Sequence, residues 1–156
     1  MIVRTTRTGI QANETTPIVV AVDGSSASKS AIETAVRLGV ELNVPLVFVY
    51  VRRGPAAVFG TPFFQRRLTA KMNSARRVLG RALRDAARAG VEADAEILEG
   101  TPGKRILEFA RQRNAKLVVV GSRRRTFSRS VSSTVVRAAN APVVVAARGN
   151  LKLAST

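Results

Sequence analysis

Asp23 is the acidic side chain of this 156-residue chain that is best placed to contact a ligand. It follows a mainly apolar, β-branched run at 17–22 and precedes Gly24, so it is expected where a buried strand turns into a helix. Open α/β folds hold ligands at this carboxyl edge of the sheet, and a carboxylate there can accept hydrogen bonds from a ribose or an adenine amine. The alternative interpretation is that Asp23 caps the turn that it forms with Gly24 and Ser25.

Residues 121–132 form a second candidate site. Gly121 and Ser122 end another apolar run, and the glycine permits close approach of the backbone to a ligand. Ser130 begins a helical pattern whose first N–H groups favour anions. Guanidinium groups that match the geometry of phosphate oxygens come from Arg123, Arg124, Arg125 and Arg129. The segment therefore predicts phosphate binding, and the alternative is a solvated run of surface charge.

The absence of cysteine and histidine excludes much catalytic chemistry. Without cysteine there is no disulfide or thiolate nucleophile, and without histidine there is no Ser-His-Asp triad. The Gly103-Lys104 pair resembles the end of a P-loop, but that motif requires glycine where Leu98 stands and Ser or Thr where Arg105 stands. We therefore expect a binding protein and not an enzyme, with no catalytic residue and no metal site.

Five short apolar runs alternate with four helical patterns, and they must position these candidate residues. Residues 52–64 contain two glycines and two prolines, which predict a loop after the second run. The predicted strands are 17–23, 46–51, 92–98, 117–120 and 143–146, and the longest predicted helix is 65–89. Since crossovers between parallel strands are right-handed and cover the sheet, we expect an α/β fold with helices on both faces. One domain at 17–147 is expected, with a disordered tail at 1–16 and a second tail at 148–156.

The net charge of the chain is +16, from 26 basic and 10 acidic residues. Four arginines on the longest predicted helix follow one another at steps of four, three and four: Arg77, Arg81, Arg84 and Arg88. Such a surface predicts binding of nucleic acid or another polyanion. Because 21 of the bases are arginine, the charge is also explained by a genome that is rich in arginine codons.

The location of the protein is inferred from its apolar runs. The longest are about six residues, which is too short for a span of roughly 20 residues across a bilayer. Residues 1–16 are polar and lack the apolar core of a secretory signal. We therefore expect a cytoplasmic protein with no membrane contact.

Four segments together resemble the universal stress protein family in their order and spacing. They are PIVVAVDGSSASKSAIETAVRLG, LVFVYVRR, EGTPGKRILEFARQRNAKLVVVGS and SVSSTVVRAANAPVVVAA. The resemblance implies a stress-response protein with a Rossmann-like fold of the adenine nucleotide alpha-hydrolase type. It further implies a five-stranded parallel sheet in the order 3-2-1-4-5 and a homodimer formed through the last strand.

The resemblance also implies a nucleotide site between the first and fourth strands. By their match to the motifs of ATP-binding members, Asp23 would contact the adenosine and the Val51 backbone would meet the adenine edge. The residues around the phosphates would be Gly121, Ser130, Val131 and Ser132. The resemblance therefore makes ATP or another adenine nucleotide a candidate cofactor, but the sequence leaves the cofactor unknown.

This chain departs from the phosphate loop of the ATP-binding members, which read Gly, two residues, Gly, nine residues, Gly and then Ser or Thr. Gly121 matches the first glycine, but Arg124 and Arg129 replace the other two, and five loop residues are missing. Arginine adopts glycine-type φ values only at a cost, so ATP binding is expected to be weakened or lost. The first functional hypothesis is a stress-response module with such a degenerate site, and the second is a basic protein that binds nucleic acid.

Overall fold

The computed structural model of the chain describes residues 2–3, 16–53, 62–122, 131–147 and 150–154. These ranges contain seven strands and four helices. The strands are β1 (Ile2–Val3), β2 (Ile18–Ala21), β3 (Leu46–Arg52), β4 (Ala93–Glu99), β5 (Leu117–Gly121), β6 (Val143–Ala147) and β7 (Asn150–Ala154). The helices are α1 (Ser26–Leu42), α2 (Pro62–Arg88), α3 (Pro102–Gln112) and α4 (Val131–Ala138).

The five central strands are parallel, and their order across the sheet is β4-β3-β2-β5-β6. The five predicted strands, numbered 1 to 5 along the chain, correspond to β2, β3, β4, β5 and β6. The structure therefore confirms the α/β fold and the predicted order 3-2-1-4-5. Val19 in the central strand pairs with Val47 on one side and Val118 on the other. Because the chain leaves β2 and β5 toward opposite sides of the sheet, a crevice is expected between the carboxyl ends of these strands.

Short antiparallel strands extend both edges of the sheet, within the segments that were predicted as tails. β1 pairs with β4, and β7 pairs with β6. Residues 151–153 alternate apolar and charged side chains, but this run is too short to distinguish a strand from an irregular tail by pattern alone.

The loop predicted at 52–64 is longer than the structure allows, because Arg52 belongs to β3 and Pro62 begins α2. Proline fits the first turn of a helix, where its missing N–H is not needed.

Two apolar layers enclose the sheet. α1 and α2 cover one face, where Ala35, Leu79 and Phe48 belong to one buried cluster. α3 and α4 cover the opposite face, where Phe109 and Val135 belong to a second cluster. The strands are rich in Val, Ile and Leu because both of their faces are buried, as in parallel sheets generally.

The ends of α1 are fixed by two polar side chains. Ser25 is the N-cap, and its hydroxyl accepts a hydrogen bond from the Ser28 N–H at 3.2 Å. Asn43 ends the helix in the left-handed conformation, with φ of 51°. The helix therefore begins immediately after the turn that contains Asp23, and this turn is held at the edge of the sheet.

Two glycines within helices test how tightly the layers pack, because alanine is favoured over glycine in a helix by about 0.5–1 kcal/mol. At Gly39, a new Cβ would lie 2.9 Å from Val91 Cγ1 and 3.1 Å from Leu46 Cδ2. At Gly80, the nearest atom would be the mobile Nη1 of Arg84, at 3.4 Å. We predict that Gly80→Ala stabilises the protein by about 0.5–1 kcal/mol and that Gly39→Ala destabilises it by about 1 kcal/mol, since overpacking outweighs helix propensity. Urea unfolding measures both changes, and a stabilised Gly39→Ala protein would contradict the packing.

Candidate functional site

The turn between β2 and α1 positions Asp23 through short-range hydrogen bonds. Its carboxylate Oδ1 accepts a hydrogen bond from the Ser25 N–H at 2.9 Å. Its own N–H donates to the Ser28 hydroxyl at 3.1 Å, and Ser28 is buried. The capping role that was considered as an alternative for Asp23 is therefore present. It is compatible with ligand binding, because an ionised carboxylate offers about four acceptor positions.

Gly121 lies at the end of β5, against the first turn of α1. A Cβ added to Gly121 would lie 2.3 Å from the Ala27 carbonyl oxygen and 2.9 Å from the Ala27 Cβ. Backbone atoms cannot move aside as a flexible side chain can, so this position requires glycine for packing alone. The contact brings the end of β5 next to the turn that holds Asp23.

A cleft of about 410 Å³ opens at this edge of the sheet. This volume is within the range of about 300–1,000 Å³ that is usual for small-molecule sites. Its lining combines buried apolar side chains with serine hydroxyls and the exposed charged side chains of Asp23 and Arg53. The lining residues are Ala21, Val22, Asp23, Ser25, Ala27, Ser28, Val49, Val51, Arg53, Pro102, Ile106, Val120, Gly121, Val131 and Ser132.

The electrostatics of the cleft favour an anion near the rim. Helices α1, α3 and α4 all begin beside it, as the lining residues Ser25, Pro102 and Val131 show. The N-terminal end of each helix carries a partial positive charge, which adds to the guanidinium charge of Arg53. The carboxylate of Asp23 supplies the opposing charge, so charged groups of both signs line the cleft.

Two adjacent arginines at the end of β3 differ in their ion pairing, and Arg52 is the last residue of the strand while Arg53 follows it. Arg52 forms an ion pair with Glu99 at the end of the neighbouring strand β4. Arg53 is exposed, lines the cleft and has no ion-pair partner among the described residues. The sequence analysis did not identify Arg53 as a candidate binding residue. Asp23 was selected because it follows a buried strand at the carboxyl edge of the sheet, and Arg53 has the same kind of position.

The structure brings together five of the nine predicted binding residues. Around the cleft lie Asp23, Val51, Gly121, Val131 and Ser132. Ser122 is not among the lining residues, and its N–H donates to the Ala146 carbonyl of β6 at 2.9 Å. Arg123, Arg124 and Ser130 lie outside the described residues, as does the whole shortened loop. That these residues bind a ligand stays a prediction.

Other possible sites give weaker indications. A cavity of about 340 Å³ lies at the opposite edge of the sheet, near Ala115, Asn140 and Ala141, where parallel folds do not usually place ligands. Within the described ranges, no three carboxylates are grouped so that they could hold a metal ion. None of the described helices is long and apolar enough to span a membrane.

The fold and the cleft together define a doubly wound α/β domain with a ligand-sized site where the strand order reverses. A sequence model described as "Universal stress protein family" matches residues 14–147. The chain therefore belongs to the universal stress protein family, and the resemblance seen in the sequence is confirmed.

Individual proteins of this family are similar over most of their length. Universal stress protein YxiE of Bacillus subtilis is 28% identical over 142 residues, which cover 82% of this chain and 96% of that protein. A structure from Burkholderia pseudomallei, of the same family, has a TM-score of 0.70 and 28% identity, and covers 86% of this chain and 98% of that chain. The universal stress protein from Archaeoglobus fulgidus in complex with dAMP has a TM-score of 0.65 and 24% identity, and covers 88% and 98%. This last likeness shows the fold.

Substitution of Gly121 tests how tightly the end of β5 packs against the first turn of α1. We predict that Gly121→Ala lowers the free energy of unfolding by about 2–3 kcal/mol, because its Cβ would overlap the Ala27 carbonyl. Gly103→Ala is the comparison, since its Cβ would lie 2.8 Å from the Thr134 methyl and 3.0 Å from the Thr134 Cβ, which are longer contacts than the one with the Ala27 backbone and involve only a side chain. Urea unfolding should show the larger loss for Gly121→Ala. Equal stability of that variant and the wild type would contradict the observed packing.

Proposed function

We propose that this protein is a stress-response binding module whose cleft holds the adenosine part of a nucleotide and binds ATP weakly. The observation that carries the proposal is the cleft at the carboxyl edge of β2, β3 and β5, which is lined by Asp23 together with buried apolar side chains. A carboxylate can accept hydrogen bonds from ribose hydroxyls, and the apolar walls suit a flat base. The A. fulgidus protein of the same fold, solved with dAMP, supports an adenine nucleotide as ligand.

Weak ATP binding follows from the sequence of the phosphate loop. Only four residues separate Arg124 from Arg129, where ATP-binding relatives have nine between two glycines. Arginine at both ends cannot readily adopt the left-handed backbone that lets amide groups surround a row of phosphates. Among the described residues, the donors near the cleft include the N-terminal N–H groups of α1, α3 and α4 and the guanidinium of Arg53, and these can bind a single phosphate group.

The proposed role is binding without a catalytic step. Asp23 is the one carboxylate among the described cleft residues, and it is already engaged by the Ser25 N–H. No histidine or cysteine occurs in the chain to supply a base or a nucleophile. A cytoplasmic location and a homodimer stay predictions. In this structure the edge that a partner would meet belongs to β7, because β7 covers β6.

Calorimetric titration with adenosine, AMP, cyclic AMP and ATP tests the proposed function. We predict that adenosine and AMP bind, that ATP binds no more tightly than AMP, and that Asp23→Asn weakens adenosine binding about tenfold or more. This loss corresponds to a hydrogen bond to a charged group, worth about 1.5–3 kcal/mol. Asparagine keeps the oxygen that caps the turn, so the variant changes the charge and not the fold. Glu41→Gln, which removes an exposed acid from α1, is the control for charge and should bind like the wild type.

Two outcomes of this titration would contradict the proposal. Failure of adenosine and all nucleotides to bind would exclude an adenosine site. ATP binding at least ten times tighter than AMP binding would show that the shortened loop still surrounds a triphosphate.

Substitution of Arg53 tests the basic side of the cleft. We predict that Arg53→Gln weakens AMP binding about three- to tenfold and leaves adenosine binding unchanged, because an exposed guanidinium contributes about 1 kcal/mol to phosphate binding. Arg52→Gln is the matched control, since Arg52 is paired with Glu99 outside the cleft. The same titrations measure both variants. An equal loss of AMP affinity in the two variants would indicate a general effect of charge.

A further inference from the structure

Among the four described helices, α2 has the greatest excess of positive charge. Its 27 residues include eight basic residues and a single acid, Asp85. Helix α1 covers the same face of the sheet and has two basic and two acidic residues, so its net charge is zero. A preference for arginine codons would act on both helices alike. The concentration of charge on α2 therefore indicates selection for this surface and not composition alone.

The charge on α2 faces solvent because the opposite side of the helix packs on the sheet. The buried side consists of Ala75, Leu79, Ala82 and Ala86. The exposed basic residues are Arg66, Lys71, Arg76, Arg77, Arg81, Arg84 and Arg88. Arg88 is paired with Asp85 at 3.7 Å. Arg77, Arg81 and Arg84, here named the arginine stripe, have no ion-pair partner in the part of the chain that the structure describes.

The arginine stripe is unfavourable for the isolated helix. Its residues are four and three positions apart, so neighbouring guanidinium groups lie on one side of the helix and repel each other. Binding of a polyanion removes this repulsion. Residues 77 to 84 span about 10 Å of helix, and one strand of B-form DNA presents about three phosphates over that length. The number of cations therefore matches the number of phosphates that they would meet.

We propose that the arginine stripe binds the phosphate backbone of duplex nucleic acid without reading its base sequence. A single-stranded ligand is less suitable, because single strands are bound by stacking on aromatic side chains and residues 69–88 of α2 contain none. An anionic membrane is also less suitable, because helices that bind membranes insert an apolar face into the lipid. The apolar face of α2 is buried against β3 and β4.

This surface is separate from the adenosine cleft. None of the described residues that line the cleft belongs to α2. Duplex binding therefore does not depend on the proposed nucleotide function, and either one can fail without the other.

Fluorescence anisotropy with a short labelled DNA duplex of mixed sequence tests the proposal. Each phosphate contact adds about 0.9 to the slope of log affinity against log salt, so three contacts give about 2.7. Between about 50 and about 200 mM NaCl these contacts alone reduce wild-type affinity about 40-fold. We expect the triple variant Arg77→Gln, Arg81→Gln, Arg84→Gln to lose this part of the slope and to bind at least ten times more weakly at the lower salt concentration.

The control removes the same net charge from other elements. Its substitutions are Arg111→Gln, Lys116→Gln and Arg137→Gln, at exposed positions on α3, before β5 and on α4. Circular dichroism melting confirms that both variants fold, and the stripe variant should melt at or above the wild-type temperature because its repulsion is removed. The proposal is supported if only the stripe variant loses affinity. It is overturned if both variants lose affinity equally, if the stripe variant binds like the wild type, or if the wild type binds anionic vesicles but no duplex.

Discussion

The close approach of Gly121 to the Ala27 carbonyl is the contact on which the candidate site depends. It joins the end of β5 to the first turn of α1, and so brings two segments together that are nearly 100 residues apart in the chain. Ser25 and Ser28 then fix the turn at Asp23 relative to that contact. The contact therefore holds the end of β5 beside this turn, at the cleft that forms where the chain leaves β2 and β5 toward opposite sides of the sheet.

The charges of the molecule are arranged differently around the cleft and on α2. Among the described residues of the cleft, Arg53 and the helix N-termini lie near one carboxylate, so the field is mixed and favours a small ligand with both donor and anionic groups. On the outer face of α2, the arginines line up along the helix, and this favours an extended anion. A net charge of +16 by itself distinguishes neither case. The positions of the charged residues in the fold distinguish a small-molecule site at the cleft from a surface on α2 that suits a polymeric anion.

The sequence pattern was sufficient to predict the central strands and helices because the signals for these elements are local. Continuous, mainly β-branched runs such as 117–120 mark buried parallel strands. The edge strands β1 and β7 were missed because two to five residues carry too little pattern. The order of the strands came from family resemblance, since periodicity does not encode which strands are neighbours. The packing role of Gly121 could not be predicted either, because its contact Ala27 is distant in sequence and is identified only from the tertiary structure.

Gly121 shows why agreement with a family pattern supports the fold more strongly than the ligand. In the sequence it was interpreted as a glycine that allows a nucleotide to approach, yet the fold requires glycine there because of Ala27 whether or not a ligand binds. Gly24 is similar, since its φ of 81° already favours glycine. These positions would therefore persist in a member that had lost ATP binding. Residues that the fold does not require, such as Arg53 and the arginines of α2, are more informative about function.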